Sequence, residues 1–211
     1  ISKITERKYN LSYNPDNEII VTVGASEAVD LCLRAVISPG DEIIVPEPSF
    51  VCYKPCSDIM GGKVVSLKTK AENSFKIKKE ELLEVITEKT KVLILSYPNN
   101  PTGAIMTRED LSEIAEVLRE RNILVLSDEI YAELTYRGNH TSIAEIEGMR
   151  EKTVVINGFS KAYAMTGFRL GYIMAPKELI SAIVKIHQYG IMSAPTISQY
   201  AGIEALKNGD S

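Results

Sequence analysis

The sequence has 211 residues, of which 45% are apolar and 25% charged, and its formal net charge is −4. This length and balance suit one soluble α/β domain with a sizeable core, and they argue against a disordered, collagen-like or coiled-coil chain. No apolar run is long enough to span a bilayer and the first residues do not form a signal segment, so we expect a cytoplasmic protein without membrane contact. Lys and Arg are scattered rather than clustered, which argues against a nucleic-acid partner.

The cysteines make no metal-binding pattern. Cys32, Cys52 and Cys56 are odd in number, and the two histidines of the chain do not complete a paired zinc-ligand motif with them. We therefore expect reduced, mostly buried thiols and no metal site.

Short β-branched runs alternate with segments of helical period, which is the pattern of βαβ units around a mainly parallel sheet. The N-terminal stretch is polar and helical in pattern. The predicted strands are Ile19–Val23, Glu42–Pro46, Lys63–Leu67, Val92–Ser96, Ile123–Ser127, Thr153–Asn157 and Arg169–Ala175. The predicted helices are Ser26–Ile37, Phe50–Met60, Lys78–Thr87, Arg108–Arg121, Lys177–His187 and Thr196–Leu206. The expected fold is a three-layer α/β/α domain with a seven-stranded sheet.

Both ends of the sequence indicate that it has been cut from a longer chain. The chain begins at Ile1 without an initiator Met and stops at Ser211, just after a helical segment meets Asn208-Gly209. No repeat, low-complexity tract or linker divides the residues between. We expect residues 1–211 to be one domain of a longer protein.

Four loops at predicted strand ends carry polar residues, and the carboxyl ends of parallel strands form the ligand crevice of such sheets. The first loop, Gly24-Ala25-Ser26-Glu27, opens directly into a helix. Small residues let the backbone approach a ligand, and the free N–H groups of a helix start suit a phosphate. A plain turn with Ser26 as the helix N-cap explains this segment equally well.

The second and third loops follow two apolar runs. In the loop over residues 97–103, Tyr97-Pro98-Asn99-Asn100-Pro101-Thr102-Gly103, two prolines rigidify a segment that presents amide side chains. An ordinary loop of turn-forming residues is the alternative. In Ser127-Asp128-Glu129-Ile130-Tyr131, an acid directly follows a buried strand, where it needs a cationic partner unless it caps a helix. Tyr131 could reach the same crevice as Asp128.

The fourth loop runs from Asn157 to Gly171. Lys161 follows a strand among small and apolar neighbours, where desolvation would lower the pKa of its amine and make it a nucleophile. Arg169, at the predicted start of the next strand, suits a phosphate. A lone lysine at such a position is usually a surface residue, so the interpretation depends on the combination of loops.

Together the four loops supply an amine, a carboxylate, a phenol, an amide and a phosphate cradle. This set fits pyridoxal 5′-phosphate, whose aldehyde needs a lysine, whose pyridine nitrogen needs an acid and whose phosphate needs cations and amides. The sequence has no G-x-G-x-x-G motif for a dinucleotide and no G-x-x-x-x-G-K-[ST] motif for a nucleoside triphosphate. His140 and His187 do not complete a recognisable serine triad.

At these residues the sequence resembles the class I/II aminotransferases of the type I pyridoxal-phosphate fold. The matching stretches are Val21–Ala28, Tyr97–Gly103, Ser127–Tyr131 and Ser160–Gly171, in that order. The resemblance covers essentially the whole chain and corresponds to the family's large, cofactor-binding domain, which implies that its N-terminal segment and C-terminal small domain are missing. Met165-Thr166-Gly167-Phe168-Arg169 and His187-Gln188-Tyr189 are similar to the subgroup with N-acetyl-diaminopimelate, aromatic and aspartate aminotransferases.

The resemblance implies a role for each matching residue. Lys161 would form the Schiff base with the cofactor and move the substrate α-proton, and Asp128 would keep the pyridine nitrogen protonated. Tyr131 and Asn100 would hydrogen-bond the 3′-oxygen of the cofactor. The phosphate would be held by Ala25, Ser26, Ser160 and Arg169.

Two apolar side chains would hold the cofactor ring. Phe50 aligns with an aromatic residue that stacks on one ring face, where the family often has Trp or Tyr. Ile130 would pack against the other face. Ordinary core packing is the alternative for both residues.

The leading hypothesis is an aminotransferase that moves an α-amino group from an amino acid to a 2-oxo acid and works as a homodimer. A C–S β-lyase with the same cofactor, and a non-catalytic ligand-sensing domain fused to a DNA-binding module, are the alternatives. Family members anchor the substrate carboxylate with an arginine of the small domain, and no arginine follows Arg169 in this sequence. We therefore expect the chain alone to bind the cofactor without transaminating at the rate of a complete enzyme.

Overall fold

Seven β-branched segments form one sheet in the computed structural model, which describes residues 1–209. The strands are β1 (Ile19–Thr22), β2 (Glu42–Glu47), β3 (Lys63–Lys68), β4 (Thr90–Ser96), β5 (Leu124–Asp128), β6 (Thr153–Gly158) and β7 (Gly171–Met174). Their order across the sheet is β1-β7-β6-β5-β4-β2-β3. The five strands from β2 to β6 pair in parallel, and β7 runs antiparallel to both of its neighbours. The predicted mainly parallel sheet of seven strands is confirmed.

Helices cover both faces of the sheet. They are α1 (Ser2–Tyr9), α2 (Ala25–Val36), α3 (Tyr53–Ile59), α4 (Lys79–Val85), α5 (Arg108–Arg119), α6 (Phe159–Ala162), α7 (Lys177–Gly190) and α8 (Thr196–Asn208). At the start of α5, the Thr107 hydroxyl accepts from the Asp110 N–H while the Asp110 carboxylate accepts from the Thr107 N–H. Thr107 with an acid three residues later is the sequence signature of such a reciprocal capping box.

Two apolar cores lie on opposite sides of the sheet, because successive residues of a strand point to opposite faces. Val92 and Ile94 of β4 pack with α2, α3 and α7, whereas Leu93 and Leu95 pack with α4 and α5. The three-layer α/β/α architecture therefore follows from period-two burial in strands that are apolar on both faces.

Several predicted boundaries differ from those of the structure by two or three residues, and the differences nearest the site are these. The helix predicted from Phe50 begins at Tyr53, and α4 ends at Val85 rather than at Thr87. The strand predicted from Arg169 begins at Gly171, and Arg169 itself has a left-handed φ of 50°. The physical reason is the end of β6 at Gly158, which pairs with Gly171 and leaves Arg169 without a strand partner.

Within residues 1–209, no helix is both long and apolar enough to cross a bilayer. The three cysteines are free thiols; Cys32 is buried, and Cys52 and Cys56 are half-buried.

Candidate active site

A cavity of about 270 Å³ opens where the carboxyl ends of β4, β5 and β6 meet the start of α2. Strand register brings these ends together, since Ser96 of β4 pairs with Asp128 of β5 and Asp128 pairs with Ile156 of β6. Nine residues singled out from the sequence line this one cavity together with the tenth, Ile130: Ala25, Ser26, Phe50, Asn100, Asp128, Tyr131, Ser160, Lys161 and Arg169. Residues separated by up to 144 positions in the chain thus share one crevice.

One wall of the cavity is the first turn of α2. Gly24 is the N-cap residue, with a φ of 82°, and no side chain caps the helix start. The first N–H groups of α2 therefore lack intrahelical partners, and they carry the positive end of the helix dipole. The guanidinium of Arg169 lies against Gly24, and its Nη1 donates to the Thr166 carbonyl at 3.0 Å. Free amides beside a cation make this wall suitable for an anion.

The lysine that lines the cavity stands on a short helix. Lys161 belongs to the single turn α6, which follows β6 directly. Its Nζ lies 5.5 Å from the ring centroid of Tyr131. The side chain is exposed, so the expectation of a desolvated amine was wrong for this structure.

The carboxylate lies at the floor of the cavity. Asp128 is the last residue of β5 and is 6% exposed. Its Oδ2 accepts a hydrogen bond from the Tyr53 hydroxyl at 2.8 Å, and its Oδ1 accepts from the Ile130 N–H at 3.2 Å. Burial raises the pKa of Asp128 to about 6, while the hydrogen bonds from Tyr53 and Ile130 oppose that rise. Asp128 is therefore predominantly ionised at pH 7 and above.

The structure decides against one alternative for this acid. Asp128 ends a strand and does not cap a helix, because its carboxylate accepts an N–H two residues along in a tight turn. The carboxylate accepts from a phenol and an amide N–H and lines the cavity, where a cationic group of a ligand could meet it.

The amide and the phenol approach each other beside the acid. Nδ2 of Asn100 donates to the Tyr131 hydroxyl over 3.5 Å. Asn100 is held by its loop, where Oδ1 of the buried Asn99 accepts from both the N–H and the hydroxyl of Thr102. The hydrogen bonds within this loop thus hold Asn100 at the cavity.

Phe50 and Ile130 complete the apolar part of the lining. Phe50 is 38% exposed and meets Tyr53 edge-on, with ring centroids 6.1 Å apart. Core packing is therefore wrong for Phe50, whose ring borders open space. Ile130 is half-buried at the turn after β5.

Sequence reasoning missed Tyr53, which is fully buried and joins the acid to β4. Its hydroxyl makes one hydrogen bond to Asp128 and another, at 2.9 Å, to Ser96 Oγ. The only sequence signal was a phenol three residues after Phe50 in an otherwise apolar segment, which ordinary packing explains equally well.

The buried network around Glu129 was missed as well. The Glu129 carboxylate accepts from Ser127 at 2.9 Å and from Ser142 at 2.6 Å, and it lies 2.9 Å from His140 Nε2. Tyr9 packs edge-on against the His140 ring. Charge at Glu129 contributes to the raised pKa of Asp128, and the residue lies outside the cavity lining.

Comparison with known proteins identifies relatives that match nearly the whole of this chain. The family model for aminotransferase class I and II matches residues 1–211. The protein YugH of Bacillus subtilis (strain 168) is 51% identical over 209 residues, which is 99% of this chain and 54% of YugH. An aspartate aminotransferase of Pyrococcus abyssi is 41% identical over 99% of this chain and 54% of its own length.

A crystal structure of an aromatic aminotransferase from Pyrococcus horikoshii OT3 superposes with a TM-score of 0.95 at 40% identity, covering 98% of this chain and 56% of that one. The chain thus spans about half the length of the proteins it matches. Class I and II aminotransferases depend on pyridoxal 5′-phosphate. The match over the full chain, together with the shared fold, shows that this chain belongs to the class I and class II aminotransferase family.

Proposed function

We propose that this chain is the large, cofactor-binding domain, residues 1–211, of an aminotransferase that moves an α-amino group from an amino acid to a 2-oxo acid. The observation that carries the proposal is the convergence of Lys161, Asp128 and Arg169 with the free start of α2 on one cavity. When bound, pyridoxal 5′-phosphate supplies an electron sink for the charge that develops at the substrate α-carbon.

The polar groups of the cavity match the three polar regions of that cofactor. The N–H groups of Ala25 and Ser26, the Ser160 hydroxyl and the Arg169 guanidinium would hold the phosphate, because they offer amide donors and a cation at one end. At the other end, the Asp128 carboxylate would hold the proton of the pyridine nitrogen. Asn100 and Tyr131 would donate to the 3′-oxygen between them.

Lys161 would serve as both the attachment point and the base. Its side chain is exposed and lines the cavity, with Nζ 5.5 Å from the Tyr131 ring centroid, where it could take the α-proton of a substrate. Phe50 and Ile130 would clamp the ring between an aromatic face and an aliphatic one.

The rest of the reaction would depend on parts outside residues 1–211. A substrate carboxylate calls for a bidentate guanidinium, and no arginine follows Arg169 in this sequence. We propose that this clamp belongs to the complete protein, that the complete protein is a homodimer with amino acids and 2-oxo acids as its small-molecule partners, and that it is cytoplasmic. The free thiols of Cys32, Cys52 and Cys56 support the last point.

The proposed activity is tested with the full-length protein and single amino acids. If the protein transfers amino groups, an amino acid should be converted to its 2-oxo acid while the cofactor becomes pyridoxamine 5′-phosphate. One 2-oxo acid should form for each pyridoxamine 5′-phosphate. Release of pyruvate with ammonia from a cysteine conjugate would instead identify a β-lyase. The absence of both products, with the cofactor bound, would contradict an enzymatic role and favour a sensing domain.

A further inference from the structure

We propose that Glu27 and His187 form a positioning pair for the phosphate-binding turn at the start of α2, an inference that rests on the proposed function. Neither residue lines the cavity. Nδ1 of His187 lies 3.1 Å from Oε1 of Glu27, although the two residues are 160 positions apart. Both side chains are largely buried, with exposed fractions of 7% for His187 and 13% for Glu27.

The turn needs an external support because its own cap is missing. Gly24 has no side chain to accept the first N–H groups of α2, and the structure gives this helix no side-chain cap. The turn is therefore free to present its donors to an anion. Glycine also gives the backbone its greatest freedom at this point, so an uncapped glycine turn is intrinsically loose.

Glu27 connects the residue before Gly24 to the helix that follows it. It stands in the first turn of α2, and its Oε2 accepts a hydrogen bond from the N–H of Val23, the residue that precedes Gly24. This contact bridges the end of the β1 segment to the helix across the loose residue. The turn is thus closed by one carboxylate oxygen without using the N–H groups of Ala25 and Ser26.

His187 occupies the other oxygen of the same carboxylate. A largely buried carboxylate needs a donor on each side, and a carboxylate only accepts, so Nδ1–H of His187 donates to Oε1. Without that donor, Glu27 would gain from turning toward the unpaired N–H groups of its own helix, which is the usual position of an acid in a first turn. It would then compete with a phosphate for the same donors. His187 keeps the carboxylate away from them.

The second member of the pair comes from α7, which packs against α2 through the apolar core. Ile180 and Ile183 of α7 are buried in that core and set the distance between the two helices. The phosphate turn is thus anchored to a part of the fold that does not touch the ligand.

The test measures binding of two ligands to the cofactor-free chain by calorimetry. Pyridoxamine 5′-phosphate and pyridoxamine differ only in the phosphate, and neither can bond covalently to Lys161. His187→Leu should lower the affinity for pyridoxamine 5′-phosphate by about tenfold or more. The affinity for pyridoxamine should stay within about twofold of the wild-type value. Glu27→Ala removes the other member of the pair and should show the same selective loss of affinity for pyridoxamine 5′-phosphate. His187→Asn places an amide nitrogen near the position of Nδ1 and should bind both ligands as the wild type does.

The outcomes separate this inference from the proposed function. Unchanged binding of pyridoxamine 5′-phosphate, or an equal loss for both ligands, would overturn the positioning role. If near-ultraviolet circular dichroism showed that both His187→Leu and Glu27→Ala unfold the chain, the pair would serve the fold, and the inference would be overturned as well. If the wild-type chain bound neither ligand, the proposed function itself would fail, whereas wild-type binding with unaffected variants would contradict the pair alone.

Discussion

The Tyr53 hydroxyl donates a hydrogen bond of 2.8 Å to Oδ2 of Asp128, and both residues are buried at the floor of the cavity. The contact fixes the orientation of the carboxylate and stabilises its ionised form, because a hydrogen bond to a charged acceptor is stronger than one to a neutral acceptor. It opposes the burial that raises the pKa of Asp128 to about 6. Tyr53 is thus a positioning residue for the proposed cofactor acid.

Tyr53→Phe should therefore raise the pKa of Asp128 further, by about one unit if the lost hydrogen bond contributes roughly 1.5 kcal/mol. The titration can be followed in the cofactor-free chain by carboxyl carbon NMR, with Asp128→Asn to assign the signal. Tyr13→Phe is the matched control, because the buried Tyr13 hydroxyl has no hydrogen-bond partner in the described part of the chain. A pKa that moves equally in both variants, or in neither, would contradict this role for Tyr53.

Asp128→Asn should stabilise the cofactor-free chain at neutral pH. Ionising Asp128 in the folded state costs about 3 kcal/mol, since its pKa rises from 3.8 to about 6 and one pKa unit corresponds to about 1.4 kcal/mol. In the unfolded chain Asp128 ionises at about pH 4, whereas in the folded chain it ionises only at about pH 6. The free energy of unfolding of the wild type therefore falls by this amount as pH rises from about 4 to about 6. An amide carries no such cost.

Urea unfolding of both proteins between pH 4 and pH 7.5 measures this effect. The advantage of Asp128→Asn should grow across that interval and level off above it, and the same variant should lose most of its activity in the full-length protein. An advantage that does not change with pH would show that Asp128 is not buried as an ionised group.

Gly24→Ala should weaken binding of pyridoxamine 5′-phosphate, because a Cβ at this position would lie 3.0 Å from Cζ of Arg169 and closer to its Nη2. The guanidinium would have to leave the phosphate wall. Gly103→Ala provides the control, since Gly103 also has a positive φ, 71°, but open space around its Cβ position. Both variants should lose roughly 1–3 kcal/mol of stability, because alanine is strained at these positive φ values. Equal ligand affinities for the two would contradict the contact between Arg169 and the turn.

The strands and the three-layer fold could be predicted because each rests on local pattern, namely short β-branched runs that alternate with segments of helical period. The nine cavity residues could be predicted because they follow strand ends, and parallel strands bring their ends together. The role of Tyr53 could not be predicted from the sequence, because its partner Asp128 is 75 positions away and only the packing of α3 on the sheet brings the two together. Pairs such as Glu27 with His187 depend on tertiary packing in the same way.

The exposed faces of α7 and α8 should make the isolated chain self-associate. Tyr189 of α7, Ile197 and Tyr200 of α8 and Met192 between the two helices are 71% or more exposed, while the buried residues of α8 are the small Ser198 and Gly202. Apolar area of this kind usually marks an interface. Sedimentation velocity should show dimers or larger species, and the double variant Ile197→Lys with Tyr200→Glu should shift them to monomer.

Tyr136→Glu serves as the control for that shift. Tyr136 is 89% exposed in the segment that follows β5 and belongs to neither α7 nor α8. Loss of association in this variant as well, or a monomeric wild type at all concentrations, would contradict an interface on α7 and α8.

Borohydride reduction of the chain mixed with pyridoxal 5′-phosphate, followed by peptide mapping, tests the central claim most directly. The cavity places one lysine, Lys161, within reach of both the acid at Asp128 and the phosphate wall at Arg169. The account predicts a single pyridoxyl group on Lys161, and its loss in Lys161→Ala with the fold retained. A label on any other lysine, or no label with the cofactor in excess, would contradict it.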